Sequence, residues 1–148
     1  MRACAVSGHR NLNYENVADK TEQAFLSLIE EGYDTFLVGM AVGFDFLCFK
    51  ILEKLREDND IKIIACIPCP GQPLKYSEPQ KREYERMLSV ADDKIVISEN
   101  YTPYCMLKRN AFMVDNSDCL LCFMRKDKGG TYYTYNYAKR KNRRIIEI

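Results

Sequence analysis

The feature that most constrains this chain is the alternation of apolar β-type runs with helical patterns, where three runs end in a glycine-containing loop. These loops are Ser7 to Arg10, Gly39 to Asp45, and Gly129 to Thr131. Glycine lets the backbone approach an anion closely, and the N-terminus of the following helix offers unpaired N–H groups and a partial positive charge. Because the carboxyl ends of parallel strands meet at one edge of a sheet, the loops predict a nucleotide-type pocket there.

Residue periodicity predicts alternating strands and helices along the whole chain. The predicted strands are Ala3 to Val6, Thr35 to Val38, Ile61 to Ile67, Lys94 to Ile97, Asp118 to Met124, and Arg144 to Ile148. The predicted helices are Asn13 or Tyr14 to Glu31, Phe44 to Glu57, Pro79 to Ala91, Tyr104 to Ser117, and Thr131 to Lys141. The prolines and glycine between residues 68 and 73 predict a rigid loop without regular structure.

Strict β–α alternation indicates a mostly parallel sheet covered by helices on both faces. The predicted fold class is therefore α/β, a three-layer α/β/α sandwich of Rossmann-like type. The run from Ile61 to Ile67 is nearly all apolar, as expected for a strand buried on both faces. With 148 residues and 47% hydrophobic content, residues 1–148 are expected to form one domain.

Composition excludes some partners and a membrane location. The net charge of +1 gives no global signature of polyanion binding, and no apolar run approaches the roughly 20 residues that span a bilayer. The N-terminus becomes polar too soon for a signal peptide. We therefore expect a soluble cytoplasmic protein with no membrane partner, and whether it forms a homo-oligomer is left open.

The seven cysteines raise the question of a metal site, because Cys66/Cys69 and Cys119/Cys122 both have the spacing of zinc knuckles. Both pairs fall in or at the end of predicted strands, where residues three apart point to opposite faces. Cysteine also packs as a small hydrophobic residue. The sequence therefore predicts buried free thiols, no metal site and no cofactor.

The first two loops supply candidate ligand-binding residues. These are Ser7, Gly8, His9 and Arg10 in the first loop, and Gly39, Ala41, Gly43 and Asp45 in the second. Gly8 permits close approach and Arg10 could pair with a phosphate in bidentate fashion. The alternative is structural: Gly8 forms a tight turn, Arg10 is solvated, and His9 hydrogen-bonds the loop. Asp45 is either ligand-facing or a first-turn carboxylate that matches the helix dipole.

The last loop and the helix before the fifth predicted strand supply the other candidates. Gly129, Gly130 and Thr131 are expected to surround a phosphate with backbone N–H groups and a hydroxyl, and Thr134 projects from the same helix end. The alternative is a loop with a Thr N-cap. The sequence gives Arg109 and Asn110 no apolar role on their helix, so they are either ligand contacts or a solvated face.

In these residues the chain resembles the YpsA-like branch of the SLOG superfamily, whose relatives include DprA and the LOG phosphoribohydrolases. The resemblance runs from Val6 to about Ala138. It implies a Rossmann-like fold and a pocket for a nucleotide-derived ligand. Gly39 to Asp45 resembles the G-x-A-x-G-[IF]-D signature, in which the glycines face the ligand and the aspartate orders the pocket. Arg109-Asn110 matches an R-N pattern that implies contact with phosphate or base.

The chain departs from the LOG enzymes at one position. Their G-G-x-G-T-x-x-E pattern ends in a catalytic glutamate, whereas this chain has Thr134 three residues after Thr131. Asp45 and Asp115 are the only substitutes, and Asp45 is the candidate catalytic residue if there is one. The favoured interpretation is binding of a small nucleotide or ADP-ribose-like ligand, as in a sensor. The alternatives are hydrolysis of a nucleotide N-glycosidic bond and DprA-like single-stranded nucleic-acid binding, which the net charge disfavours.

Overall fold

The computed structural model describes residues 1–148 and contains one six-stranded sheet in which all neighbouring strands are parallel. The strands are β1 (Ala3–Gly8), β2 (Thr35–Val38), β3 (Lys62–Ile67), β4 (Asp93–Val96), β5 (Cys119–Phe123) and β6 (Arg144–Glu147). Their order in the sheet is β4-β3-β2-β1-β5-β6. The predicted parallel sheet is confirmed.

Five α-helices alternate with the strands. They are α1 (Val17–Glu30), α2 (Phe44–Leu55), α3 (Glu78–Val90), α4 (Cys105–Asp115) and α5 (Gly130–Arg140). Side chains of α1, α2 and α3 share the larger buried cluster with one face of the sheet, and those of α4 and α5 share a smaller cluster with the other face. This arrangement confirms the three-layer α/β/α, Rossmann-like class. None of the helices combines the length and the apolar character required to cross a membrane.

All seven cysteines are buried, as the sequence predicted. Strand alternation separates the second close pair as expected, because Cys119 lies in the larger core cluster and Cys122 in the smaller one. Cys66 likewise packs in the smaller cluster, within β3. These thiols therefore serve as small hydrophobic residues in the layers that cover the sheet.

Most predicted boundaries lie within two residues of the observed ones, but α1 begins later than predicted. The sequence placed its start at Asn13 or Tyr14, whereas the helix begins at Val17. Asn16 has a left-handed φ of 61°, which interrupts any helix running through it. At the other end Gly32 has φ +101° and the Tyr33 N–H bonds to the Leu28 carbonyl, so the predicted glycine stop is confirmed.

Two further segments differ from the sequence-based expectation. The proline-rich segment is not without regular structure, because Gln72–Lys75 forms a 3₁₀ turn. β1 extends to Gly8 rather than ending at Val6, because Ser7 and Gly8 pair with Cys122 and Phe123 of β5. Ser7 is therefore held by a sheet ladder rather than by a free loop.

The topological switch point of the sheet, where the direction of strand addition reverses, lies between β1 and β5. From β1 the chain moves outward through β2, β3 and β4, and then returns to the other side of β1 to form β5 and β6. The helices that follow β1 and β5 consequently lie on opposite faces of the sheet, and the loops that lead into them border a crevice. In open α/β sheets the crevice between such loops is where ligands bind.

Candidate functional site

A cleft of about 1350 Å³ lies at the carboxyl ends of the central strands. Its lining combines residues from the exits of β1, β2, β3 and β5 with residues from the first half of α4. The predicted site residues that line it are Ser7, Gly8, His9, Arg10, Ala41, Asp45, Arg109, Asn110, Gly129, Gly130 and Thr131. Gly39, Gly43 and Thr134 are not part of the lining. Most of the residues chosen from sequence are thus brought together around one cleft.

The N-terminus of α5 forms the most open polar corner of the cleft. Gly129 has φ +94°, and a side chain built there would meet no atom within 4 Å. At Gly130 the nearest atom would be the Asn110 amide nitrogen at 3.9 Å. The first intrahelical bond runs from the Tyr133 N–H to the Gly129 carbonyl, so the N–H groups before it have no partner inside the helix. These N–H groups can therefore donate hydrogen bonds to a bound anion.

Two buried hydroxyls on the cleft wall have no hydrogen-bond partner inside the protein. Thr131 is 6% exposed and Ser7 is 8% exposed, and both line the cleft. Both oxygen atoms are reached from the cleft. The side-chain oxygens that are fully enclosed and have no hydrogen-bond partner are those of Thr102 and Ser117. Because no side-chain hydrogen bond within the protein uses them and both residues line the cleft, the two hydroxyls are available to a molecule bound there.

Thr134 occupies a different position from Thr131. Its hydroxyl donates to the Gly130 carbonyl at 2.8 Å, and the residue is 2% exposed. The hydroxyl is thus already used inside the helix, one turn behind the open corner. The Thr131 hydroxyl is therefore free to bind a ligand and the Thr134 hydroxyl is not, a difference that the sequence does not reveal.

His9 receives a hydrogen bond from the loop that follows β5. The Arg125 backbone N–H donates to His9 Nε2 at 2.7 Å, and the imidazole ring packs edge-on against Phe123. Partial burial, together with the charges of Lys126 and Arg125, lowers the pKa of His9. Since Nε2 is an acceptor, the neutral ring carries its proton on Nδ1. His9 thus joins the loop after β1 to the loop after β5, a longer-range contact than the bond within its own loop that the structural alternative expected, and it also lines the cleft.

The glycines of the second loop are required by packing inside the protein. A side chain at Gly39 would lie 2.9 Å from Arg109 Cζ and from Asp45 Oδ2. Gly43 has φ +92°, and a side chain there would lie 2.4 Å from the Arg10 Cα. Gly8 is similar, because its added carbon would lie 2.4 Å from the Phe44 ring. Close packing of the β1, β2 and α2 segments accounts for all three glycines.

Asp45 lies in the first turn of α2 and is almost wholly buried beside the cleft. Its Oδ2 accepts a hydrogen bond from the Ala41 N–H at 3.1 Å. Burial raises the pKa of Asp45 to about 6, although the charge of Arg109 and the Ala41 N–H both act to lower it. Asp45 therefore accepts a hydrogen bond that holds the loop and is also a carboxyl group in the cleft wall. A structural role and a ligand-facing role both remain open for this residue.

Arg109 is buried, which excludes the solvated helix face that the sequence left open. The residue is 5% exposed, and its Nη1 donates to the Gly39 carbonyl and, at 3.4 Å, to the Cys66 carbonyl. Its Nε donates to Asn110 Oδ1 at 2.8 Å. The guanidinium therefore joins the exits of β2 and β3 to α4 and forms part of the cleft floor.

Sequence reasoning missed the residues of the proline-rich segment. Gln72 is 6% exposed, donates to the Gly39 carbonyl at 2.9 Å, and accepts a hydrogen bond from the Tyr84 hydroxyl at 3.0 Å. The Tyr76 hydroxyl donates to the Met40 carbonyl at 3.0 Å. These bonds hold the 3₁₀ turn against the end of β2. The only available signal was the proline-rich composition. It predicts that the segment is rigid but does not predict where the segment packs.

The charge of the cleft differs from the charge of the whole chain. Its basic lining residues are Arg10, Lys75, Arg109, Lys126 and Lys128, and its only acidic lining residue is Asp45. Lys126 and Lys128, which flank Asp127 just before the glycine pair, are not among the residues that the sequence predicts for the site. A chain with a net charge of +1 thus concentrates positive charge at one edge of the sheet.

A parallel α/β sheet with a cleft at its switch point defines the Rossmann-like class of proteins. The family model described as the YspA SLOG family, under the name YpsA, matches residues 5–147. The chain therefore belongs to the YpsA SLOG family. It is 33% identical over 141 residues to the SPbeta prophage-derived protein YoqJ of Bacillus subtilis, covering 82% of this chain and 81% of YoqJ. It is 28% identical to a UPF0398 protein of Halalkalibacterium halodurans, covering 95% of this chain and 76% of that protein.

Two solved structures of DNA processing protein A (DprA) share the fold. The Streptococcus pneumoniae protein superposes with a TM-score of 0.72 at 20% identity, over 99% of this chain and 50% of its own. The Helicobacter pylori protein, described for its single-stranded DNA binding mode, gives 0.72 at 18% identity, over 99% and 64%. This chain thus spans half to two-thirds of the length of the DprA chains. At these identities the likeness shows the fold alone.

Proposed function

We propose that the cleft binds a nucleotide or a nucleotide-derived ligand such as ADP-ribose, with a phosphate group on the N-terminus of α5. The observation that carries the proposal is the unpartnered hydroxyl of Thr131, a residue that is only 6% exposed and lines the cleft at that helix end. A hydroxyl beside free helical N–H groups forms an anion site whose donors are already in place.

Two further features support an anionic ligand larger than a single phosphate. The cleft of about 1350 Å³ is lined by basic residues that enter from several loops, so more than one anionic group can be neutralised. Apolar and aromatic lining residues provide surface for a base or a sugar. These residues include Val42, Leu74, Tyr101, Met106 and Leu107.

The enzymatic alternative has less support from the site. Cleavage of an N-glycosidic bond passes through an oxocarbenium-like state that usually requires a nearby carboxylate. Asp45 is the only carboxylate in the cleft lining, and one of its oxygens already accepts the Ala41 N–H. Asp115, the other candidate, lies outside the lining and accepts a hydrogen bond from the Tyr137 hydroxyl. We therefore propose binding rather than hydrolysis.

The first prediction is that a ligand of this class stabilises the protein. At 100 times its dissociation constant, a ligand that binds only the folded state adds about 2.7 kcal/mol to the free energy of unfolding. The measurement is the melting temperature in the presence of AMP, ADP, ATP, ADP-ribose, NAD and a short single-stranded DNA. A rise with mononucleotides or ADP-ribose supports the proposal. If none of these compounds raises the melting temperature at millimolar concentration, the proposal is wrong.

The second prediction compares two threonines on α5. Thr131→Val removes the unpartnered hydroxyl without breaking an internal hydrogen bond, so the fold should persist and nucleotide affinity should fall about 10-fold. Thr134→Val, the matched control, removes a hydroxyl that is bonded inside the helix, so affinity should stay within about 2-fold of the wild type. Isothermal titration calorimetry with the stabilising nucleotide measures both. Weakened binding only in Thr134→Val would contradict the proposed phosphate position.

A third variant tests backbone approach at the same helix end. In Gly130→Val the Cβ atom lies 3.9 Å from the Asn110 amide nitrogen, an ordinary contact, so the fold should tolerate the substitution. The added methyl groups would occupy the space beside the free N–H groups. Binding should therefore fall while the melting temperature of the unliganded protein changes little.

A further inference from the structure

Two cysteines from distant segments meet beside the cleft. The sulfur atoms of Cys69 and Cys105 are 4.0 Å apart, and the Cys105 thiol donates to Cys69 Sγ. The two residues are 36 positions apart in sequence and neither belongs to a strand. The sequence motif had paired Cys69 with Cys66, but the structure pairs it with the first residue of α4.

The two thiols differ in their access to the cleft. Cys69 lies between Pro68 and Pro70, is 1% exposed, and is the one cysteine that lines the cleft. Cys105 is fully buried behind it, one helical turn before Arg109. A small molecule in the cleft thus meets Cys69 before Cys105, through a small local opening of the wall, and Cys105 is in position to attack the product that forms on Cys69.

We propose that Cys69 and Cys105 form a reversible disulfide when a hydroperoxide enters the cleft. The Cys69 thiol, as thiolate, attacks the terminal peroxide oxygen; the O–O bond breaks, giving Cys69 sulfenic acid and releasing water or an alcohol. The Cys105 sulfur then attacks the sulfenic sulfur, the S–O bond breaks, and water leaves with the proton from Cys105. Two thiols are oxidised by two electrons, one peroxide is reduced, and a dithiol reverses the change.

The geometry requires only a small movement. A disulfide bond is about 2.05 Å long, so the sulfur atoms approach by roughly 2 Å, shared between the loop and the first turn of α4. Burial raises the pKa of Cys69, so little thiolate is present at neutral pH and the first step is slow. The bond would tie the β3 exit loop to the helix that carries Arg109 and Asn110.

Another pair of neighbouring cysteines serves as the internal control. Cys4 and Cys119 are directly paired in register between β1 and β5, and both are buried in the larger core cluster. Neither lines the cleft. Simple proximity would allow both pairs to oxidise, whereas access through the cleft allows only Cys69 and Cys105.

The test treats the full-length native protein with hydrogen peroxide, in the absence of nucleotide, and counts thiols after alkylation in denaturant. The reduced protein has seven alkylated thiols, and the oxidised protein should have two fewer. Tryptic digestion should yield one cross-linked product joining peptide 63–75 to peptide 95–108, which contains Cys105 alone. Treatment with dithiothreitol should restore seven. Because no nucleotide is used, failure here leaves the proposed ligand site untouched.

Two variants make the order of reaction testable. In Cys105→Ser, the Cys69 sulfenic acid has no partner and should be captured by dimedone. In Cys69→Ser, peroxide should leave all remaining thiols free. Cys4→Ser, the matched control, should still form the Cys69–Cys105 cross-link. An unchanged thiol count in the wild type, a cross-link between Cys4 and Cys119, or no dimedone adduct in Cys105→Ser would overturn the proposal.

Discussion

Arg109→Met is expected to lower the free energy of unfolding by about 3–5 kcal/mol, because two buried hydrogen bonds from a charged donor are lost at about 1.5–3 kcal/mol each. The substitution removes the donors to the Gly39 and Cys66 carbonyls and leaves Asp45 without its neighbouring positive charge. Gly39 keeps its bond from Gln72, but Cys66 loses this donor. Urea unfolding at pH 7, followed by circular dichroism, gives the difference directly.

The adjacent residue provides the control for this experiment. Lys108 is exposed on α4, so Lys108→Met should change stability by no more than about 0.5 kcal/mol. Arg109→Lys keeps the charge but loses the planar fork, and its stability should lie between those of the wild type and Arg109→Met. If Arg109→Met proves as stable as Lys108→Met, the guanidinium does not hold the cleft floor together.

Asp45→Asn is expected to stabilise the protein at pH 6 and above and to have little effect near pH 4 and below. Burial raises the pKa of Asp45 from its ordinary 3.8 to about 6, so the folded protein binds this proton more tightly than the unfolded chain does. Stability from this group is therefore fully present below pH 3.8 and is lost as the pH rises through 6. The loss amounts to about 3 kcal/mol by pH 8. Asparagine keeps an oxygen to accept the Ala41 N–H and carries no charge.

The comparison of wild type and variant across pH isolates this effect. Urea unfolding at pH 4, 6 and 8 should show the two proteins nearly equal at pH 4, with most of the difference present at pH 6 and all of it at pH 8. Asp19→Asn, an exposed change in the first turn of α1, should give a small difference that does not grow with pH in this way. A stability difference for Asp45→Asn that is the same at all three pH values would contradict a raised pKa for this carboxyl.

The fold could be predicted from the sequence because each strand and each helix has its own local hydrophobic pattern, and these patterns alternate along the chain. Each strand is a short apolar run and each helix has an apolar stripe, such as Val17, Thr21, Phe25 and Leu28 in α1, all of which are buried. The late start of α1 was not predictable in this way. It depends on the left-handed conformation of Asn16, a residue type that adopts this conformation only in some contexts.

The cleft was predictable in position but not in its internal contacts. Ligands of open α/β sheets bind at the carboxyl ends of the strands, and Ser7 and Thr131, which follow two such ends, both line the cleft. The burial of Arg109 was not predictable, because a charged side chain on a helix is normally solvated and its carbonyl partners come from β2 and β3. The meeting of Cys69 and Cys105 likewise depends on tertiary packing and leaves no spacing pattern in the sequence.

The strand order has a consequence for how the protein folds. Ala3 at the start of β1 and Asp118 just before β5 are hydrogen-bonded although they are 115 residues apart. Pairing over such a separation carries a larger loop-closure entropy than the pairing of β1 with β2. The loops that follow β1 and β5 meet only after this long-range pairing has formed. A ligand held between these loops would therefore bind only chains in which β1 and β5 have paired. The fraction of protein that binds the ligand would then report the fraction that has folded.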